Sequence, residues 1–187
     1  MAHTRRDREV FFILKEKRIL KIVLAGLFAS LSVVIGIICK NHFTFDIYYR
    51  VTFENLPIIL SGIILGPLYG GAIGAVSDII SCVASTNPAV NPVITVGAAS
   101  VGITAGVMAK FIIKKHSVIQ YIICTFSAHI IGQVIIKSVA KILFMGMPPA
   151  GALIGLGISM GVATVEVCII TILMRLQPVR DLEARLK

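Results

Sequence analysis

The stretch "RVTFENLPIILSGIILGPLYGGAIGAVSDIISC", from Arg50 to Cys82, is as apolar as a lipid-embedded helix, yet it includes the charged residues Arg50, Glu54 and Asp78. A charged side chain at the bilayer centre costs about 2.5–3.5 kcal/mol or more unless it meets water or a partner. The whole 187-residue chain is 57% hydrophobic and 14% charged, whereas a soluble domain carries about 25% charged residues. The composition therefore predicts an integral membrane protein whose buried charges face a cavity or one another.

The apolar runs predict an all-α membrane protein with a bundle of six transmembrane helices. The six helices are placed at about residues 20–39, 52–66, 68–85, 91–113, 117–144 and 149–175. Residues 1–19 are expected to form a basic amphipathic leader on the cytoplasmic membrane surface. Residues 20–175 would form the transmembrane domain, and residues 176–187 a cytoplasmic tail. A five-helix alternative merges residues 52–85 into one helix.

The distribution of basic residues predicts the orientation of the bundle. Fourteen Lys and Arg residues lie in the segments assigned to the cytoplasm, against four in the half assigned to the outside. By the positive-inside rule both termini are cytoplasmic, in a multi-pass protein of the cell membrane. Because the basic residues flank apolar runs and form no folded basic face, we expect no nucleic-acid partner.

No motif for catalysis is found in the sequence. It has no GxxxxGK[ST] loop, no HExxH and no nucleophile elbow, so we expect no catalytic residue and no ATP hydrolysis by this chain. The four cysteines are widely spaced, and neither a metal site nor a cofactor is predicted. Two other classes stay open: a membrane enzyme acting on lipid, and a self-sufficient secondary carrier.

A row of polar residues marks the fifth predicted helix. His129, Gln133, Lys137 and Lys141 follow one another at intervals of four, which on an α-helix gives a row about 18 Å long. Such a row must face a cavity or partners. Glu166, deep in the sixth helix, needs a basic partner or a ligand. We expect these residues to line a polar pocket open to the outside; the alternative is a buried Lys–Glu or His–Glu pair.

The predicted outer connection between Lys40 and Arg50 is rich in aromatic residues. These are Phe43, Phe45, Tyr48 and Tyr49. They fit either an aromatic belt at the membrane interface or a lid over the pocket that offers flat surfaces to a ring-shaped ligand.

Small residues form a stripe along the first predicted helix, namely Ala25, Ala29, Ser32 and Gly36. Small residues allow close helix approach in lipid. The stripe therefore predicts either packing inside the bundle or a docking face for a separate membrane subunit.

Three features together resemble the substrate-binding S components of energy-coupling factor (ECF) vitamin transporters. They are the Ala25-x-x-x-Ala29 pair, "LPIILSGIILGPLYGGAIGAVSDII" (Leu56–Ile80) and "NPVITVGAASVGITAG" (Asn91–Gly106). Within that family the chain most resembles the folate branch, and pantothenate is the alternative vitamin. The resemblance implies a high-affinity vitamin-binding subunit that is not an enzyme. It would dock through the Ala25/Ala29 face on a shared transmembrane subunit driven by two ATPase subunits.

For folate, the sequence offers a match to each part of the ligand. Glu166, Gln133 or Asn91 suits the amide and amino groups of a pterin ring. The aromatic residues of the outer connection suit stacking on the aminobenzoate. The glutamate tail carries two carboxylates, which suit Lys137, Lys141 or Arg50. Lys137 is alternatively a partner of Glu54.

Overall fold

The computed structural model describes residues 2–45, 49–85, 91–112 and 117–186, with side chains from residue 14 onward. Helices form nearly all of these ranges. They are α1 (Ala2–His42), α2 (Asn55–Leu65), α3 (Pro67–Val83), α4 (Pro92–Ile112), α5 (Val118–Ala128), a π-helical segment (His129–Lys137), α6 (Ser138–Met145), α7 (Gly151–Arg175) and α8 (Gln177–Leu186). The all-α prediction is confirmed for the described residues.

Four of the described helical stretches are long and apolar enough to cross a membrane. They are Leu14–His42, Pro92–Ile112, Val118–Met145 and Gly151–Arg175. Helices α2 and α3 are equally apolar but have only 11 and 17 residues, fewer than the roughly 20 that a full crossing needs.

The chain turns sharply between α2 and α3. Gly66 has a φ of 99°, which an L-residue with a side chain rarely adopts. Pro67 follows as the first residue of α3, where its missing N–H costs nothing. Residues 52–85 therefore contain two helices, and the merged five-helix alternative does not describe them.

Helix α1 is continuous from Ala2 to His42. The predicted leader therefore runs into the first apolar span without a break at residues 19–20. At the other end of the chain, the predicted tail is the helix α8, which contacts α1 and α2. Its Leu186 is buried in the same apolar core as Ile58 and Tyr121.

Glycines bring α2, α3 and α4 together. A Cβ atom on Gly62 would lie 2.6 Å from the carbonyl oxygen of Gly102, and one on Gly70 would lie 2.7 Å from that same oxygen. Only a residue without a side chain permits this approach, as is common between helices in lipid. Large apolar side chains such as Leu143 and Leu153 remain exposed on the outside of the bundle.

The fifth predicted helix has an unexpected centre. The region Val118–Met145 is helical throughout, but residues His129–Lys137 follow the wider π pattern. The α-helical length of about 18 Å therefore does not apply to the polar row, because three of its four residues lie in the π segment. Long π segments are rare, and π-bulges frequently occur at functional sites.

Candidate functional site

A cavity of about 250 Å³ opens at the end of the bundle where α1 ends and α2 begins. Its polar lining comes from the α1–α2 connection, from Ser85 just after α3, and from six helical elements: α1, α2, α3, the π-helical segment, α6 and α7. The described polar lining residues are Lys40, Thr44, Tyr49, Arg50, Thr52, Asn55, Cys82, Ser85, His129, Gln133, Lys137, Ser138, Lys141 and Ser159. The apolar lining includes Ile94, Met145, Ile158 and Val162. The cavity thus gathers residues that lie far apart in the sequence.

Of the ten predicted ligand-binding residues that the structure describes, six line this cavity. They are Tyr49, Arg50, His129, Gln133, Lys137 and Lys141. Tyr48 lies outside the described residues. The other four, Phe43, Phe45, Asn91 and Glu166, do not line the cavity as the described residues define it.

The predicted aromatic connection contributes one of its described aromatic rings to the cavity. Thr44 and Arg50 form an antiparallel bridge, and the Phe45 N–H donates to the Tyr49 carbonyl oxygen at 3.0 Å. Tyr49 is part of the cavity lining, whereas the side chains of Phe43 and Phe45 are 43% and 75% exposed. Phe43 and Phe45 therefore lie outside the described lining, and their stacking on a ligand stays a prediction.

The side chain of Asn91 forms a hydrogen bond with the backbone at the start of α4. Its side-chain Oδ1 accepts a hydrogen bond from the Val93 N–H at 3.0 Å, and Pro92 is the first residue of α4. This is the N-cap arrangement expected for an Asn-Pro helix start. This hydrogen bond occupies Asn91 Oδ1, and a ligand role for Asn91 stays a prediction.

Glu54 lies at the centre of a buried ion cluster. Its carboxylate lies 3.4 Å from Arg50, 3.8 Å from Lys137 and 3.9 Å from Lys40. The alternative in which Lys137 is a partner of Glu54 thus describes the structure. Lys137 nevertheless lines the cavity, and its ammonium group donates no hydrogen bond to a described partner, so the pairing leaves its donors available.

Asp78 completes the same cluster from α3. Its Oδ1 lies 3.6 Å from Lys40 Nζ, and its Oδ2 accepts a hydrogen bond from the Thr95 hydroxyl at 2.9 Å. Lys40 also donates to the Ser81 hydroxyl. The charges at Arg50, Glu54 and Asp78 are therefore tolerated in an apolar stretch because they pair across helices beside a cavity.

His129 and Glu166 form a second buried pair. His129 Nε2 lies 2.7 Å from Glu166 Oε2, and His129 Nδ1 lies 3.1 Å from the Ser159 hydroxyl. Glu166 is fully buried behind the imidazole. His129 and Ser159 line the cavity while Glu166 does not, so Glu166 orients His129 and has no described contact with the cavity.

The cavity has a strong charge bias. Four basic side chains line it, from Lys40, Arg50, Lys137 and Lys141, and none of the described lining residues is an Asp or Glu. The carboxylates of Glu54 and Asp78 sit behind these cations. In a site of low dielectric, such an arrangement favours a ligand with negative charge.

Sequence reasoning missed Lys40 and Asn55 as lining residues. Lys40 ends the first apolar run and resembled an ordinary flanking charge. Asn55 stands between Glu54 and an apolar run, and a polar residue at the first position of an apolar helix was the available signal. Contacts across helices, which place both at the cavity, are not visible in one sequence.

The small-residue stripe of α1 faces its own bundle for at least half of its length. The Ser32 hydroxyl donates to the Glu54 carbonyl oxygen at 2.9 Å, and a Cβ on Gly36 would lie 2.7 Å from Glu54 Oε2. Ser32 and Gly36 are therefore covered by the chain itself and are not available to a partner in this conformation. Ala25 and Ala29 are half-buried against the core.

The structure therefore combines apolar helices of membrane-spanning length with a cation-lined cavity at one end, and concave sites of this kind are where small molecules bind. The family model for the ECF transporter substrate-specific component matches residues 20–176. The chain belongs to this family, and its members are membrane proteins of vitamin uptake that bind substrate and are not enzymes.

One solved structure is similar to this chain over most of both molecules. It is a crystal structure of FolT bound with folic acid, with a TM-score of 0.60 and 22% sequence identity, covering 81% of this chain and 89% of that chain. At this identity the similarity supports the fold. Comparison with curated protein sequences gives no match.

Proposed function

We propose that this protein is the folate-binding S component of an ECF-type importer in the bacterial cell membrane. The observation that carries the proposal is the cavity lined by four cations and, among the described residues, by no carboxylate. Folate carries two carboxylates on its glutamate tail, and cationic side chains bind carboxylates through strong charge-assisted hydrogen bonds. FolT, whose fold is similar, was crystallised bound with folic acid.

The parts of the cavity differ in a way that suits an elongated ligand. Lys141 and Arg50 provide charge for the glutamate tail, and Tyr49 provides a flat ring for the aminobenzoate. The side-chain amides of Asn55 and Gln133, which also line the cavity, suit the pterin. Pantothenate, the alternative vitamin, has one carboxylate and no aromatic ring, so it would leave more of this lining unused.

In the membrane, we place six crossing helices with both termini in the cytoplasm. The fourteen-to-four distribution of basic residues supports this orientation. The packing of α8 supports it as well, because Val179 and Leu182 belong to the same apolar cluster as Leu20 and Leu24, far along α1 from Lys40 and the cavity. The cavity then opens to the outside, where a vitamin is captured.

Transport requires partners that this chain lacks. Without a nucleotide-binding motif of its own, the protein would dock on a shared transmembrane subunit powered by two ATPase subunits. The half-buried Ala25 and Ala29 on α1 are the proposed docking residues, because their small side chains allow close approach of a partner helix.

A thermal-shift screen of the purified protein against vitamins tests the proposed ligand. Folate is expected to raise the unfolding temperature in proportion to the logarithm of its concentration, as ligand binding to the native state requires. Pantothenate, which shares the carboxylate but not the rings, is the matched comparison. Stabilisation by pantothenate and not by folate would overturn the assignment.

A further inference from the structure

Asn55, the first residue of α2, has a buried side-chain amide that forms no hydrogen bond within the described protein. Its side chain is 0% exposed. Both Oδ1 and Nδ2 lack a hydrogen-bond partner within the described parts of the chain, and the residue lines the cavity. Leaving a buried amide unpaired costs about 1–3 kcal/mol, so such a group in a binding cavity points to a ligand.

Gln133, which is far from Asn55 in the sequence, adds a second unpaired donor to the cavity. Its Nε2 is buried without a described partner, and the residue lines the same cavity from the π-helical segment. Asn55 thus offers one acceptor and one donor, and Gln133 offers one donor. A matching ligand presents one N–H donor beside acceptors.

We propose that Asn55, assisted by Gln133, is the specificity residue that reads the heterocyclic edge of the ligand. This inference rests on the proposed function and deepens it. The edge of a 4-oxopteridine carries an N–H donor next to a carbonyl oxygen, and a ring nitrogen acceptor lies on the far side of that oxygen. The Asn55 carboxamide accepts from the N–H and donates to the carbonyl, and Gln133 donates to the ring nitrogen.

On this proposal the cations and the amides of the cavity bind different parts of the ligand. The cations bind the carboxylate end of the ligand, and the amides bind the ring end. A site built to hydrogen-bond a substrate rejects analogues that lack the partner groups, because its own buried groups are then left unpaired. Asn55 therefore replaces Asn91 and Glu166 as the residue expected to recognise the ring.

The test compares the parent with Asn55→Leu, using folate, pteroate and 4-aminobenzoyl-glutamate as probes. Pteroate lacks the glutamate tail, and 4-aminobenzoyl-glutamate lacks the pterin. Asn55→Leu should weaken the binding of folate and pteroate about tenfold or more, and leave the binding of 4-aminobenzoyl-glutamate unchanged. If Asn55→Leu and the parent bind folate equally well, the Asn55 amide contacts only water in the cavity, and the inference is refuted.

The unfolding temperature of the ligand-free protein shows whether Asn55 has only a structural role. Because the amide of Asn55 is unpaired, Asn55→Leu should keep or raise the unfolding temperature of the ligand-free protein. Thr125→Val is the matched control, since the Thr125 hydroxyl is equally buried and unpaired among the described residues but does not line the cavity. It should leave folate affinity unchanged. A fall in the unfolding temperature of Asn55→Leu would overturn the inference.

A second variant tests the hydrogen-bond pattern itself. Asn55→Asp keeps the shape and replaces the donor by an acceptor, so the ring carbonyl oxygen of folate would face a second acceptor. The probe 4-aminobenzoyl-glutamate carries the same two carboxylates without the ring, so it controls for the added negative charge. The ratio of folate affinity to 4-aminobenzoyl-glutamate affinity should fall about tenfold or more relative to the parent; an unchanged ratio would refute the ring contact. If the parent binds neither folate nor pteroate, the proposed function itself fails. If the parent binds folate and the Asn55 variants bind it equally well, only the role of Asn55 is refuted.

Discussion

The imidazole of His129 is held by Glu166, with His129 Nε2 2.7 Å from Glu166 Oε2 and both side chains almost fully buried. Only His129 of this pair lines the cavity. The pair therefore works as a unit, in which the carboxylate on α7 fixes the ring orientation of a residue in the π-helical segment.

This arrangement predicts strong coupling between the two residues in ligand binding. Glu166→Gln and His129→Gln should each weaken folate binding, and the double variant should lose little more than the worse single variant. Residues that act through one contact are not additive. Titration of the four proteins measures the coupling. Additive losses would mean that Glu166 contacts the ligand independently of His129.

Glu54 is expected to hold the ion cluster together. Its carboxylate is the described anion nearest to Arg50 and also pairs with Lys137. Removing one partner of a buried pair typically costs about 3–5 kcal/mol, so Glu54→Gln should markedly lower the unfolding temperature. Adding Lys137→Met should restore part of the loss, because one uncompensated charge is then removed.

The exposed Glu16 on α1 provides the control for this prediction. Glu16→Gln should leave the unfolding temperature within error of the parent. If Glu54→Gln is as stable as Glu16→Gln, the cluster around Glu54 does not stabilise the fold.

The contact between α3 and α4 depends on glycine at position 102. A Cβ on Gly102 would meet the backbone of Gly70, and overpacking of this kind costs about 1–3 kcal/mol. Gly102→Ala should therefore lower the unfolding temperature. Gly161→Ala on α7 is the control, since a Cβ there meets nothing within 4 Å. Equal stability of the two variants would contradict the close packing.

Docking through α1 predicts a separation of binding from uptake. Replacing Ala25 and Ala29 together by Val should spare folate binding by the purified protein and abolish folate uptake by the assembled transporter, because a partner helix could no longer approach. Gly26→Val and Ser30→Val, on the exposed side of the same helix, form the matched control pair. Full uptake by the Ala25/Ala29 variant would rule out this docking face.

Sequence patterns predicted the helices well where length and breakers decide them. The Gly66-Pro67 turn and the Asn91-Pro92 helix start follow from backbone chemistry that a single sequence displays. The π-helical segment was not predictable in this way, because His129, Gln133 and Lys137 have a spacing that fits an α-helix as well.

The site was predictable only in part, since charge and depth are visible in a sequence but contacts are not. Lys137 and Arg50 stood out as charges in apolar runs and do line the cavity. Glu166 is an equally clear charge in an apolar run, yet it lies behind His129 and does not line the cavity. Asn55 was not predicted as a site residue, although its unpaired amide is the clearest polar feature of the cavity.

The most direct test of the central claim is protection of Cys82 by folate. Cys82 lines the cavity, and its Sγ lies 3.1 Å from Lys40 Nζ, so a ligand that reaches the cations of the cavity would shield this thiol. In a variant that retains Cys82 and has Ala at positions 39, 124 and 168, a small uncharged thiol reagent should modify Cys82. A parallel variant that retains only Cys168, which is exposed on α7, is the control.

If folate occupies this cavity, folate should slow the modification of Cys82 with half-protection at its binding constant, and should not slow the modification of Cys168. Pantothenate at the same concentration should protect neither thiol. Cys82 modified at an unchanged rate in the presence of saturating folate would contradict the account.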